Sequence, residues 1–474
     1  MMDSTSPRCH TNFSQHADFS RKAISPQHAG LSLSSPSGVT PVSTATTAPL
    51  TQATRADSPY GGSPAYLVGV PSTHVTDAAP VRDYDTGYSP KWSTNPPASG
   101  AWKPGDDPRE RLFANIGTFH TELGATIPNV VMAYETWGTL NAERSNAILL
   151  CHALTGDSHA TSRDGTNGWW FEVVGPGKAI DTDQWFVVCP NVLGGCQGST
   201  GPASIAPDGE PWGARFPELT IRDMCAAEYQ LAQHLGISRW AMVAGASFGG
   251  NRAIEWAASY PAAVACVAVL VANGACTAEQ IAWQQMQITA IENDPAFRNG
   301  HYYHVPDGHG PHRGLGLARE IAHLSYRCAP ELAERFGRTP QAGEDPLHGG
   351  RYAVQSYLDY HAEKLVRRFD ANSYICISRA MITHDIGRGR EGTTAVLASL
   401  TMPALVVAVD SDRLFYPADM AALGAALPGC DGVPVVHSTH GHDGFLIEND
   451  QVCEIFRGFF ASESFRSTQA GSKL

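Results

Sequence analysis

Three distant segments of the sequence carry the side chains that acyl transfer through a serine requires. Ser247 lies in the pattern Gly-x-Ser-x-Gly at 245–249, carboxylates lie at 410–412, and His440 and His442 follow further along the chain. A serine hydroxyl attacks an acyl carbon when a base removes its proton and an acid orients that base. These residue types therefore predict nucleophilic acyl transfer.

The surroundings of Ser247 predict the turn known as a nucleophile elbow. Apolar residues lead up to the serine from Val243, and a helix-like segment follows at 252–260, which is the order strand, serine, helix. Such a tight turn requires small neighbours, because larger side chains would collide with the strand or the helix. The small residues beside the serine are Gly245, Ala246, Gly249 and Gly250. The serine then stands at a helix N-terminus, where backbone N–H groups can stabilise an oxyanion.

The order serine, aspartate, histidine along the chain is the order found in α/β-hydrolases. We predict Asp412 rather than Asp410 as the orienting acid, because Asp412 lies beyond the end of a predicted strand. We predict His442 rather than His440 as the base, because a neighbouring glycine and a tight turn let its ring reach inward. Each residue alone is typical of a polar loop, but the three in this order favour catalysis with Ser247 as nucleophile.

The strands that must position these residues indicate a mostly parallel sheet. Continuous apolar runs are typical of strands covered on both faces. Runs of this kind lie at 147–151, 185–189, 265–271 and 403–410. The segments 118–123 and 130–137 predict antiparallel opening strands, and a further strand is predicted at 433–438.

A helical pattern from 275 to 398 interrupts the alternation of strands and helices. Apolar side chains recur there at three- and four-residue spacing, as they do between Tyr357 and Phe369. The region precedes the last two predicted strands, which is where α/β-hydrolases carry a lid. We therefore predict an α/β-hydrolase fold, a mostly parallel sheet with a helical lid insertion.

The N-terminal part of the chain differs in composition from the rest. Thirteen of the 32 prolines lie in residues 1–104, and little apolar periodicity is present there. This composition favours disorder over a transit peptide, since no arginine-lined amphipathic helix is evident. The predicted division is a disordered extension at 1–105, the hydrolase core at 106–274, the lid and dimerisation insertion at 275–398, the rest of the core at 399–462 and a flexible tail at 463–474.

Composition limits the classes of partner. The net charge of −13 argues against nucleic acid and against anionic membrane surfaces, and the apolar run at 262–272 is too short to span a membrane. The eleven cysteines include no Cys-x-x-Cys pair, so neither a disulfide framework nor a zinc site is predicted. We expect no metal, and we expect a reducing cytoplasm.

Longer motifs make the pattern specific. They are Cys-His-Ala-Leu-Thr-Gly-Asp-Ser-His at 151–159, Gly-Trp-Trp at 168–170, Asn-Val-Leu-Gly-Gly-Cys at 191–196, Gly-Ser-Thr-Gly-Pro at 198–202, Thr-Ile-Arg-Asp at 220–223, Arg-Phe-Asp-Ala-Asn-Ser-Tyr at 368–374 and Gly-His-Asp-Gly-Phe at 441–445. In these segments the chain resembles the homoserine O-acetyltransferases of the α/β-hydrolase superfamily, and the resemblance runs from about residue 117 to 460.

The resemblance implies a reaction and an assembly. The reaction is transfer of an acetyl group from acetyl-CoA to the hydroxyl of L-homoserine, in methionine biosynthesis, by a ping-pong mechanism. Acetyl-CoA is then a substrate, and no further cofactor is implied. The family also implies a homodimer formed through the insertion.

The resemblance also implies roles for further residues. The backbone N–H groups of Leu154 and Phe248 would form the oxyanion hole. The residues that would contact homoserine are Thr155, Arg319, Tyr326 and Asp443. Arg319 would pair with its carboxylate and Asp443 with its ammonium group.

Three alternatives stay open at the level of sequence. The first is a serine O-acyltransferase of the same fold, using acetyl or succinyl donors, since one methylene is worth only about 1–3 kcal/mol of discrimination. The second is an esterase or thioesterase with the same triad, which would differ in admitting water. The third is a binding protein of the same fold without catalysis, against which the complete set of Ser247, Asp412 and His442 argues.

Overall fold

The computed structural model describes residues 92–161 and 168–470. Within them, eight strands form one sheet in the order β1-β2-β6-β3-β7-β8-β9-β10, and two short strands form a separate pair. The strands are β1 (Leu112–His120), β2 (Thr126–Trp137), β3 (Ala147–Cys151), β4 (Val174–Gly175), β5 (Ile180–Asp181), β6 (Phe186–Pro190), β7 (Met242–Ala246), β8 (Val267–Leu270), β9 (Ala404–Val409) and β10 (Val435–Val436).

The sheet is antiparallel at one edge and parallel elsewhere. Strand β2 pairs antiparallel with β1 and β6, whereas the neighbours from β6 to β10 run parallel. All residues of β3, β7, β8 and β9 are buried, as strands covered on both faces must be. The mostly parallel α/β-hydrolase sheet predicted from the sequence is confirmed.

Helices cover the sheet and fill the long insertion. They are α1 (Ile221–His234), α2 (Phe248–Ser259), α3 (Ala278–Glu292), α4 (His312–Tyr326), α5 (Ala329–Arg335), α6 (Ala353–Val366), α7 (Ala371–Ile382), α8 (Thr393–Ser399), α9 (Pro417–Ala426), α10 (Gly444–Ile447), α11 (Asn449–Ala461) and α12 (Glu463–Ala470). Helices α3 to α8 lie between β8 and β9, and α4 packs against α3 and α6.

The described part of the predicted N-terminal extension is packed rather than disordered. The Ser99 hydroxyl donates to the buried carboxylate of Asp370 at 2.7 Å, and the Gly100 N–H donates to the Phe369 carbonyl at 3.1 Å. Ala98 and Ala101 are buried. The boundary predicted at residue 105 therefore lies too late, because long-range contacts order a segment whose composition alone looks unstructured. Residues 1–91 lie outside the described residues.

The C-terminal tail also departs from its prediction. Residues 463–470 form α12, and the Phe465 ring is buried against the rings of Trp185 and Phe460. This buried ring helps to hold a short polar segment in position. No helix in the described ranges, 92–161 and 168–470, is long and apolar enough to cross a membrane.

Candidate active site

Ser247 occupies a strained turn between β7 and α2. Its backbone has φ 56° and ψ −128°, a region that residues with a side chain rarely adopt, at a cost of about 1–3 kcal/mol. Its N–H donates to the Leu270 carbonyl of the neighbouring strand at 3.0 Å. The turn follows the C-terminal end of β7, and Ser247 is 7% exposed.

The flanking glycines make this turn possible. A Cβ on Gly249 would collide with the carbonyl oxygen of Cys151, at the end of β3, and a Cβ on Gly245 would collide with the backbone of Gly249. The first turn of α2 therefore lies directly against the loop that follows β3. Because Phe248 is the first residue of α2, its N–H lies among those at the helix N-terminus that have no intrahelical acceptor.

His442 and Asp412 meet at the ends of the last two strands. The Nδ1 atom of His442 lies 2.7 Å from Oδ2 of Asp412, and both side chains are almost completely buried. The other carboxylate oxygen of Asp412 accepts from the backbone N–H groups of Leu414 and Phe415 at 2.8 and 3.0 Å. The carboxylate is thus fixed from two sides, and it orients the imidazole ring.

This contact determines which nitrogen of His442 can act as a base. A carboxylate only accepts hydrogen bonds, so Nδ1 carries the proton and Nε2 keeps a free lone pair. Nε2 is buried and has no hydrogen-bond partner among the described residues. Burial disfavours the charged ring, but the charge and hydrogen bond of Asp412 outweigh it and raise the pKa of His442.

The alternative acid and base have other partners. Asp410 contacts the exposed ring of His437, with 2.9 Å between Oδ2 and Nδ1. His440 lies near Arg327 and Glu331, with 3.5 Å separating its Nδ1 from each of those side chains. The fold therefore pairs Asp412 with His442, and it pairs Asp410 and His440 with other side chains.

Gly441 explains why His442 reaches the site. Its φ is 63°, and a Cβ there would collide with the carbonyl oxygen of Tyr326 at the end of α4. The loop after β10 consequently packs closely on the insertion. The Tyr326 ring lies 5.7 Å from the His442 ring, and the Phe415 ring stacks on the imidazole at 5.3 Å.

A buried ion pair holds the loop of Leu154, the second predicted oxyanion donor. Arg252 of α2 pairs with Glu228 of α1 at 2.7 Å, and both side chains are 0% exposed. A second N–H of the guanidinium donates to the His152 carbonyl, two residues before Leu154, at 2.9 Å. The ion pair therefore links both helices to this loop.

The same network is completed by two aromatic side chains. The Trp256 indole donates to the second oxygen of Glu228 at 2.7 Å, and the Arg252 guanidinium lies 4.9 Å from the Phe248 ring centre. Burial raises the pKa of Glu228, while the neighbouring Arg252 opposes that rise. Sequence reasoning missed this pair, since its only signal is two charged residues in otherwise apolar helix faces.

Three of the four residues predicted to hold the acceptor lie together. Nη1 of Arg319 lies 3.5 Å from the Thr155 hydroxyl, and its guanidinium lies 5.8 Å from the Tyr326 ring centre. Asp443 lines the same cavity as Arg319, but its carboxylate already contacts Arg327, with 3.4 Å between the two groups. Arg327, which sequence reasoning missed, therefore competes for the carboxylate of Asp443, the residue predicted to bind the ammonium group.

The cavity beside these residues is small and cationic. It measures about 250 Å³ and has four basic side chains and one carboxylate in its wall. These charged residues are Arg319, Arg327, Lys364, Arg368 and Asp443. His323 and His361 also line it, and burial lowers the pKa of both rings, that of His361 to about 3, so both are neutral near pH 7. A small anionic or zwitterionic ligand fits this charge.

Taken together, the geometry suits acyl transfer. A serine on a strained elbow, a histidine with one nitrogen fixed and the other free, and backbone N–H groups at a helix N-terminus occupy one edge of the sheet. Such a set can form and break a covalent acyl-serine. The cationic cavity, which is lined by Asp443 next to His442 in the chain, adds a means of holding an acid.

Comparison with known proteins agrees with this geometry. The chain matches the family model of the alpha/beta hydrolase fold over residues 146–448. It is 52% identical over 370 residues to a homoserine O-acetyltransferase of Thermobifida fusca, an alignment that covers 77% of this chain and 97% of that protein.

Solved structures include both transferases and an esterase. The crystal structure of a homoserine O-acetyltransferase from Bacillus anthracis matches with a TM-score of 0.68 and 28% identity, over 75% of this chain and 98% of that one. Esterase E22 matches with a TM-score of 0.67 and 28% identity, over 74% of this chain and 99% of that one. Proteins named as transferases and proteins named as esterases therefore share this architecture.

Proposed function

The chain belongs to the homoserine O-acetyltransferase family of the α/β-hydrolase superfamily, and from this we propose that it transfers an acetyl group from acetyl-CoA to the hydroxyl of L-homoserine. The reaction would serve methionine biosynthesis. We propose that it takes place in the cytoplasm, because the cysteine pattern described above is typical of a reducing compartment. The observation that carries the proposal is the pairing of His442 with Asp412, which leaves Nε2 free as a base.

The first half-reaction would form an acyl-enzyme. Nε2 of His442 takes the proton of the Ser247 hydroxyl while the serine oxygen attacks the thioester carbon. The N–H groups of Leu154 and Phe248 would stabilise the oxyanion, and such donors are each worth about 3–4 kcal/mol. The C–S bond then breaks, and the departing thiolate of CoA takes the proton from His442.

The second half-reaction would move the acetyl group to the acceptor. The homoserine hydroxyl gives its proton to Nε2 of His442 and attacks the acetyl carbon on Ser247. The Ser247 ester bond breaks as the O-acetyl ester of homoserine forms, and the proton returns to the serine. Arg319 would hold the acceptor carboxylate and Asp443 its ammonium group, with Thr155 and Tyr326 alongside.

An esterase is the second candidate, because esterase E22 matches this fold as well as the Bacillus anthracis transferase does. The two activities differ in what accepts the acyl group, water or an amino acid. The four cations around the cavity favour an acceptor with a carboxylate over water. The insertion would help by keeping water from the acyl-serine.

A direct test combines mass spectrometry with product analysis. After mixing with acetyl-CoA, the wild type should gain one acetyl group on Ser247, and the Ser247→Ala variant should gain none. With L-homoserine present, the main product should be its O-acetyl ester rather than acetate. An adduct on another residue would overturn the triad, and mainly acetate would favour the esterase.

Parallel assays would settle the donor and the acceptor. Homoserine and serine are compared as acceptors, and acetyl-CoA and succinyl-CoA as donors. If Arg319 and Asp443 hold both ends of the amino acid, the shorter serine hydroxyl stops short of the acyl carbon, and misplacement of about 1 Å can cost about a hundredfold in rate. A higher kcat/KM for serine or for succinyl-CoA would contradict the proposed substrates.

A homodimer formed through the insertion is part of the same proposal. Several large apolar side chains of α3, α4 and α6 are exposed in the single chain: Ile281, Met286, Leu317, Leu324 and Tyr360. Burial of such side chains stabilises association. A stable monomer in sedimentation at micromolar concentration would contradict this part of the proposal.

A further inference from the structure

Two arginines from different parts of the insertion converge on Thr155. Arg368, between α6 and α7, donates through Nη1 to the Thr155 carbonyl at 2.8 Å, whereas Nη1 of Arg319, on α4, lies 3.5 Å from the Thr155 hydroxyl. Both side chains line the cavity of about 250 Å³. The two guanidinium groups therefore approach the same small volume next to the loop of Leu154.

Neither guanidinium group has a carboxylate within 4 Å among residues 92–161 and 168–470. The carboxylates of Asp443 and Asp157 contact other cations: Asp443 contacts Arg327 at 3.4 Å, and Asp157 lies 3.9 Å from Arg111. In the described structure, the remaining N–H groups of Arg368 have no protein acceptor.

The electrostatics of this pair are unfavourable without an anion. Burial lowers the pKa of Arg368, Asp157 raises it, and the like charge of Arg319 lowers it again. Arginine does not release its proton in proteins, so an anion bound between the two groups would relieve the repulsion. Guanidinium groups match a carboxylate through paired N–H donors.

We propose that Arg368 is a second cationic contact for the α-carboxylate of the acceptor, which it clamps together with Arg319. The inference rests on the proposed function and adds to it a residue that restricts the acceptor to α-amino acids. Through the Thr155 carbonyl, the same guanidinium ties this carboxylate site to the loop of Leu154. An acceptor without the carboxylate would leave both arginines unneutralised, and would lose the contacts that orient its hydroxyl.

The test compares two acceptors that differ in the carboxylate alone. L-Homoserine is compared with 3-aminopropan-1-ol, which keeps the same hydroxyl, carbon spacing and amine. A charged hydrogen bond is worth about 1.5–3 kcal/mol, so Arg368→Met should lower kcat/KM for homoserine by about 10- to 100-fold, mainly through KM. The same variant should change kcat/KM for 3-aminopropan-1-ol, or its inhibition constant against homoserine if turnover is slow, by less than about threefold.

Two further variants separate the contact from charge and from folding. Arg368→Lys keeps the charge without the planar fork and should give an intermediate loss with homoserine. Arg379→Met removes an exposed arginine outside this cavity, which pairs with Glu218 and Glu292, and its effect should be small and equal for both acceptors, because exposed charges are screened. If Arg368→Met does not fold, Arg368→Lys makes the same comparison between the two acceptors.

The outcomes are distinct. Equal losses with both acceptors would mean that Arg368 only positions Thr155, and unchanged homoserine kinetics would mean that it makes no contact. Either result overturns the inference while the proposed function stands. If the wild type forms no O-acetyl ester of homoserine at all, the proposed function fails instead.

Discussion

The imidazole of His442 and the carboxylate of Asp412 form a nearly completely buried contact of 2.7 Å, made by loops that follow two neighbouring strands. The loops meet because β9 and β10 are parallel, with Val409 opposite Val436, so that both strands end at one edge. The contact holds the proton on Nδ1 and raises the pKa of the ring. Both effects can be measured.

Asp412→Asn should slow the enzyme and shift its pH dependence. The base must be neutral to act, so kcat/KM falls as the pH drops through the pKa of His442. With the carboxylate removed, burial still lowers this pKa, and the acidic limb of the kcat/KM profile should move to lower pH. Loss of the correct tautomer should reduce kcat by roughly 10²–10⁴-fold, as in other serine triads.

Asp410→Asn is the matched control for that variant. Asp410 lies two residues earlier, and its carboxylate contacts the exposed ring of His437 and the N–H of Ser438. We expect a change of less than about threefold and an unmoved acidic limb. The assignment is wrong if Asp410→Asn causes the larger loss.

Glu228→Gln should destabilise the fold strongly. The substitution leaves the Arg252 guanidinium fully buried without its carboxylate, and breaking a buried pair in this way costs about 3–5 kcal/mol. Urea unfolding compares this variant with Glu218→Gln, which breaks an exposed pair with Arg379 and should cost less than about 1 kcal/mol. Equal midpoints for the two variants would contradict the expectation.

Two truncations test the packed N-terminal segment. Removing residues 1–105 should lower Tm because Asp370 loses one of its hydrogen bonds, from the Ser99 hydroxyl, and apolar contacts of this segment are lost; a hydrogen bond to a charged group is worth about 1.5–3 kcal/mol. Removing residues 1–91 should leave Tm unchanged, as the composition of that part predicts. Scanning calorimetry that gives the same Tm for both truncations would contradict this account.

The sequence by itself determined the fold class and the residues proposed for the chemistry. Small residues around Ser247, continuous apolar strands and acidic and histidine residues after the last two strands are local patterns, and each has a local physical cause. A serine that must turn sharply needs glycine next to it, whatever the rest of the chain does. Such features can therefore be recognised without knowing any long-range contact.

Only the tertiary structure decided the partners of charged residues and the packing of the segments 92–105 and 463–470. Asp410 and Asp412 are two residues apart, yet one contacts exposed His437 and the other buried His442. Arg368 contacts Thr155 across 213 residues, and the segments 92–105 and 463–470 are held by side chains far away in sequence. These contacts depend on how strands, loops and helices pack in three dimensions, and no local pattern of residues specifies that.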